Sequence, residues 1–171
     1  MRNRILIFLS LAACFMAAGA GIYFLMPHPH KTSFAAAPDI APDLKMTTLN
    51  GKPLHLSDFR GHRIYVHFWA SWCEPCRVEL PQLLTFARTR PDDIFVLVTA
   101  DEQPADAQEF LEKLAQQSPK TARLKNVYLI RDQDKSISAG VFFTYRYPET
   151  LVVDENFRMV DKFPGPHVWS K

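Results

Sequence analysis

A β-branched and aromatic run, Arg63-Ile64-Tyr65-Val66-His67-Phe68-Trp69, leads through Ala70-Ser71 into Trp72-Cys73-Glu74-Pro75-Cys76. Apolar residues then recur at Cys76, Leu80, Leu83, Leu84 and Ala87, one face of a helix running to about Thr89. This arrangement constrains the fold more than any other feature. A buried strand must turn directly into a helix, and a cysteine pair must sit at the corner. Pro75 falls in the first helical turn, where the missing N–H costs little. The free N–H groups and the dipole of a helix N-terminus favour an anion, so Cys73 is the expected attacking thiolate. Cys76, one turn inside, is the expected resolving cysteine of a redox-active Cys73–Cys76 disulfide.

A Cys-x-x-Cys pair can also be half of a zinc site or a structural disulfide. Zinc takes four ligands and usually a second such pair. The only other cysteine is Cys14, in an apolar N-terminal run, and His55, His62, His67 and His167 show no ligand spacing. No metal and no cofactor are expected.

The rest of the chain alternates between strand and helix. Residues 94–100 read as a buried strand, 105–117 as a helix with its stripe at Ala107, Phe110, Leu111, Leu114 and Ala115, and 126–130 as a short extended stretch. A helix from about Lys135 to Phe143 and strands near 150–154 and 157–163 follow. Asn50-Gly51 is a two-residue turn signal. The pattern is α/β, with a mixed sheet in one compact domain over residues 43–171.

The segment Val66 to Cys76 resembles the active site of the thioredoxin superfamily, and most closely its membrane-tethered TlpA/ResA/CcmG branch. Residues Ala41 to Leu44 and Leu49 to Gly61 are similar to that branch's N-terminal β-hairpin. Pro81 matches the proline within the active-site helix, and Tyr147-Pro148-Glu149-Thr150-Leu151-Val152-Val153-Asp154 resembles the cis-proline loop and the strand after it. The resemblance covers residues 41–166. It implies a thioredoxin-like fold in which 105–117 and 126–130 form the TlpA-type insertion. It also implies a cis Tyr147–Pro148 bond beside the dithiol, with Tyr147 pairing with an extended substrate and Trp72, Glu74 and Pro75 completing the contact surface. Glu79 stands where ResA- and TlpA-like proteins carry an acid that can exchange protons with a cysteine; the alternative is a solvated helix residue. The phenylalanines and tyrosines at 142, 143, 145 and 147 are expected mostly in the core, with one or two free to line a substrate groove.

Two departures stand out. His67 occupies the position where thioredoxins carry a buried Asp and the TlpA-like branch generally an Asn. It is either a proton acceptor for Cys76 or a neutral core histidine satisfied by a backbone carbonyl. The family closes one face of the sheet with a final helix, whereas Gly165 to Lys171 allows barely one turn beyond the last strand, so the C-terminal helix is short or absent. A stub anchored by Trp169 is the expected solution; the other is an apolar patch covered by another chain.

Arg2 and Arg4 precede an apolar run from Ile5 to Met26, long enough for the ~20 residues that cross a bilayer. Residues 1–26 therefore read as a signal anchor with its N-terminus inside, in preference to a leader cleaved near Ala18-Gly19-Ala20 or a lipoprotein lipidated at Cys14. Residues 27–42, with four prolines and no periodicity, read as a linker reaching at most ~50 Å. The catalytic domain is thus expected on the periplasmic or extracytoplasmic side of the inner membrane, where disulfides persist. Arg2 and Arg4 account for the whole excess of 20 basic over 18 acidic residues, so nothing points to nucleic acid.

Three function classes follow. A thiol-disulfide oxidoreductase reducing protein disulfides fits best, and the resemblance implies apocytochrome c or copper-site cysteines as substrates and a membrane thiol reductase as electron donor. A peroxidase of the same fold needs a Thr/Ser-x-x-Cys arrangement that is absent. A copper-binding metallochaperone would use the same thiols as ligands.

Overall fold

A computed structural model describes residues 40–170; the expected anchor, and the expected linker up to residue 39, lie outside the described residues. Lys45–Thr47 (β1) and Pro53–His55 (β2) form an antiparallel hairpin. A second sheet holds Ile64–Trp69 (β3), Ile94–Thr99 (β4), Val127–Arg131 (β5), Glu149–Val153 (β6) and Met159–Pro164 (β7), in the order β5-β4-β3-β6-β7. Glu74–Arg88 (α1) joins β3 to β4, and Pro104–Gln117 (α2) joins β4 to β5. The β3–β4 and β4–β5 pairs are parallel, whereas β6 and β7 run antiparallel.

Every residue of β3 and of β4 is buried, as expected of central strands covered on both faces, and this is why they read as continuous apolar runs. On one face Tyr65, Trp69, Phe95 and Leu97 pack beneath Leu80, Leu83, Leu84 and Ala87 of α1 and Ala107 and Leu114 of α2. On the other, Ile64, Val66, Phe68, Val96 and Val98 meet Met46, Leu54, Leu56 and Phe59 of the hairpin region, with Ile137, Phe142 and Phe157. The edges are less buried and more polar, β7 exposing Asp161 while Lys162 folds back onto the buried Glu149.

Two sequence expectations give way. No regular helix spans 135–143; the segment is a chain of turns. The Asp132 carboxylate accepts the backbone N–H groups of Ile137 (2.9 Å) and Ser138 (2.8 Å), so these donors are committed outside any helical ladder. Lys135 and Phe143 bracket the segment at φ 59° and 53°. Ser136, Ser138 and Gly140 are weak helix formers, which leaves the tertiary contacts to decide. Gly140 is required there, since a Cβ would stand 2.4 Å from the Ser136 carbonyl oxygen. In the hairpin, Asn50-Gly51 does not close a two-residue turn. Gly51 N–H donates to Thr48 O and Thr48 N–H to Lys52 O, with Gly51 at φ +83°, which is a three-residue loop with its glycine in the left-handed position. The loop also ties the hairpin to the sheet, because Leu49 N–H donates to Leu129 O of β5 at 2.9 Å.

Asn126 fastens the far end of α1. Its side-chain amide donates to the carbonyls of Ala87, Arg90 and Asp93 at 3.1, 2.9 and 2.9 Å. Asn126→Ala removes this three-way clamp, leaving Ala87 O and Arg90 O with only their backbone turn donors, and should lower stability by about 2 kcal/mol. Urea unfolding checks this: the midpoint should fall with the slope unchanged, and an unmoved midpoint would refute it.

Candidate active site

Three strand ends meet at one edge of the sheet. Trp69, the last residue of β3, pairs with Thr99, the last of β4, and Phe68 pairs with Glu149, the first of β6. The connection after β3, the acid after β4 and the loop before β6 are therefore neighbours. Asp101 exploits this: its buried carboxylate accepts the Ser71 N–H (3.0 Å), the Ser71 hydroxyl (2.7 Å) and the Thr99 hydroxyl (2.5 Å). The turn into the cysteines is thus pinned to the neighbouring strand. Sequence reasoning passed over Asp101, although an acid just beyond a buried strand, level with Ala70-Ser71 on the next one, was a visible signal.

Cys73 is the N-cap of α1 in extended conformation, with Pro75 in the first turn. Cys73 and Cys76 form a disulfide, and the Cys76 N–H donates to Cys73 Sγ at 3.3 Å. A sulfur that accepts a backbone N–H at a helix N-terminus is placed to be stabilised as a thiolate once the bond is reduced. Cys73 keeps 6% of its surface exposed and Cys76 none, so a partner reaches Cys73 first.

The Tyr147–Pro148 peptide is cis. Its loop is held at both ends, for the Gly165 N–H donates to Pro148 O at 2.9 Å and the buried Glu149 carboxylate accepts from the Thr144 hydroxyl (2.5 Å) and Lys162 Nζ (2.7 Å). The Tyr147 ring meets Trp72 edge to face at 6.0 Å between centroids, which sets the cis-proline loop beside the dithiol. Burial pushes the Tyr147 phenol up, opposed by a hydrogen bond with the Ser138 hydroxyl. Trp72 is 64% exposed, and Glu74 is exposed in a loose pair with Arg77 at 3.5 Å, a contact of little energetic weight. Of the other aromatics, Phe142 is buried, whereas Phe143 and Tyr145 face solvent.

Glu79 is not solvated. It is 2% exposed, and its Oε1 accepts the Trp169 indole N–H at 2.6 Å. Burial raises its carboxyl above the usual carboxylate range, while the Trp169 indole and the His167 backbone pull it down. Its Oε2 has no hydrogen-bond partner among the described residues. Three residues from Cys76 on a helix, it shares that cysteine's face.

His67 is fully buried in β3. Its Nδ1 bonds the Thr150 hydroxyl of β6 at 2.8 Å, and Nε2 is unpartnered among the described residues. The partner is therefore a hydroxyl rather than the backbone carbonyl expected. Burial lowers its pKa to about 3, which keeps the imidazole neutral. Among the described residues, no group of three or more His, Cys, Asp or Glu side chains is arranged to hold a metal ion.

The Redoxin family model matches residues 35–170. The chain is 35% identical over 166 residues to the thiol:disulfide interchange protein HelX of Rhodobacter capsulatus, covering 94% of this chain and 87% of that one. It is 29% identical over 129 residues to the thiol-disulfide oxidoreductase ResA of Geobacillus kaustophilus, covering 74% and 67%. Against the thioredoxin-like protein YneN of Bacillus subtilis, 31% identical over 115 residues, the match takes in 67% of this chain but only 64% of that protein's length. Among solved structures, one described as the thiol:disulfide interchange protein DsbE of Chlorobium tepidum superposes with a TM-score of 0.65 at 25% identity, covering 77% of this chain and 87% of its own.

The depressed pKa of His67 makes stability depend on pH. Between about 3 and 6.5 the unfolded chain binds a proton at this site and the folded chain does not, so stability present above pH 6.5 is lost on acidification. The loss reaches ~1.4 kcal/mol per pH unit for one such group. His67→Asn should remove that component from urea unfolding followed between pH 7 and 4, and an identical acid slope in the variant would show the imidazole is not its source.

Proposed function

This chain belongs to the Redoxin family and is a thiol-disulfide oxidoreductase of the TlpA/ResA/CcmG type, and from that premise we propose that it reduces protein disulfides outside the cytoplasm through Cys73 and Cys76. The observation that carries the reading is the Cys73–Cys76 disulfide at the α1 N-terminus, Cys73 outermost, with the cis Tyr147–Pro148 loop beside it. The Cys73 thiolate attacks a substrate disulfide; one substrate sulfur leaves as a thiolate and the other is bound to Cys73. The Cys76 thiol gives its proton to Glu79, and its sulfur attacks Cys73, closing the enzyme disulfide and expelling the second substrate thiolate. Two electrons pass from the enzyme dithiol to the substrate disulfide; the proton taken by Glu79 passes on to the second substrate thiolate, and the first takes one from water, equal to the one Cys73 lost on ionising.

Of the two candidate proton acceptors, Glu79 suits the step and His67 does not. An acceptor works best with a pKa near ambient pH. Burial moves Glu79 up towards that range and moves His67 down to about 3, away from it. His67 is read as a packing residue.

Substrates are polypeptides presented in extended form. Tyr147, ahead of the cis-proline, offers backbone groups to such a segment, and the exposed Trp72, with Glu74 and Pro75, forms the contacting rim. Apocytochrome c or copper-site cysteines fit this chemistry. Arg2, Arg4 and the apolar run Ile5 to Met26 support tethering to the inner membrane with a membrane thiol reductase as donor.

Cys76→Ala leaves the mixed disulfide on Cys73 without a resolving thiol, so covalent adducts with substrate proteins should accumulate on non-reducing gels. No adduct under a supply of electrons would overturn the reading. Glu79→Gln should slow resolution by ~10²-fold near neutral pH and flatten its pH dependence; a superimposable profile measured by stopped flow would remove Glu79 from the mechanism.

A further inference from the structure

The segment beyond β7 forms no helix among the described residues, yet it reaches the redox helix. Trp169 lies edge-on to Tyr65 and Phe163, each at 5.9 Å between centroids, tilted against Phe86 at 5.2 Å, and near-perpendicular to the His167 ring at 4.7 Å. These contacts fix the plane of the indole, which has a single N–H to give. It goes to Glu79 Oε1, 90 residues earlier in the chain. The carboxyl is left with one oxygen clamped and the other buried without a donor among the described residues. Packing alone does not favour this state, because a buried acceptor without a partner is a cost. A half-satisfied acid beside a dithiol is what proton exchange requires.

The geometry points to Trp169 as a positioning residue for the dithiol reaction: its indole N–H holds Glu79 Oε1 and reserves Oε2 for proton exchange with Cys76. This rests on the role proposed above for Glu79. The bond matters electrostatically as well as geometrically, since a donor to the carboxyl favours its ionised form. The titratable groups around it are the cysteine pair on α1, Tyr65 and the neutral His67 on β3, and His167 in the tail. Arg63, Arg90 and Asp93 bear on Tyr65 but not on Glu79, whose proton affinity is set by burial, the Trp169 indole and the His167 backbone. The tail thereby gives a surface segment control over a buried proton acceptor.

Trp169→Phe keeps an aromatic ring in the stack and removes the donor. The oxidised full chain is labelled with 13C at glutamate carboxyls, the Glu79 signal being the one lost in Glu79→Gln, so that it titrates without interference from the cysteines. Its midpoint should rise by about one pH unit in Trp169→Phe. The pH profile of mixed-disulfide resolution in the reduced protein should move by the same amount. Where Trp169→Phe unfolds, benzothienylalanine at 169, with sulfur in place of the N–H at nearly equal volume, makes the same test. A Glu79 midpoint that stays put overturns the proposal, as does one that moves while the rate profile does not follow. A rate profile unchanged in Glu79→Gln, which retains Trp169, overturns the Glu79 reading instead, so the two failures are distinguishable.

Discussion

The redox site depends on β3 being paired along both edges, parallel to β4 and antiparallel to β6. That double pairing delivers three chain segments to one place: the cysteine turn at the end of β3, Asp101 just beyond β4, and the cis-proline loop ahead of β6. None of the three is close to both others in sequence. Slipping either register by one residue would exchange the two faces of a strand buried on both sides, which hydrophobic burial and the shape of the core forbid. The fixed register in turn lets a single carboxylate, Asp101, hold the turn that presents Cys73.

Much of this was legible in the sequence where the physics is local. The apolar runs of β3 and β4, the helical stripe of α1 and the Cys-x-x-Cys corner carry their structure in neighbouring residues, and they stand where their patterns placed them. Segment 135–143 did not, because the N–H groups of Ile137 and Ser138 run to the Asp132 side chain and only isolated turns follow, and no periodicity reports that. Asn50-Gly51 signalled the hairpin but not the length of its loop, which Thr48 and Lys52 set. The environment of Glu79 was beyond local reading altogether, since what satisfies it is an indole 90 residues away. Trp169 could be recognised as an anchor for the tail; what it anchors to could not.

Two buried titratable groups of the site, Glu79 and His67, face opposite fates under the same force. Desolvation disfavours charge, so it makes an acid hold its proton and a base lose one. Glu79 is drawn towards working pH and His67 away from it, one from the buried face of α1 and the other from β3. An imidazole in the core thus becomes chemically quieter than a carboxyl, the reverse of their ranking in water. The Thr150 hydroxyl anchors the ring and adds no charge to change this.

The sheet's margins complete the picture. At β5 the hairpin loop occupies part of the outer rim through Leu49 and a bridge between Thr48 and Ile130, while beside β7 the pairing shifts at Val152/Val153 and the strand exposes the charge of Asp161. Open, flat rims attract stray extended chains and seed fibrils. With both rims blunted, the sheet offers such chains no template on which to accumulate, and the thiol corner is the part of it left open.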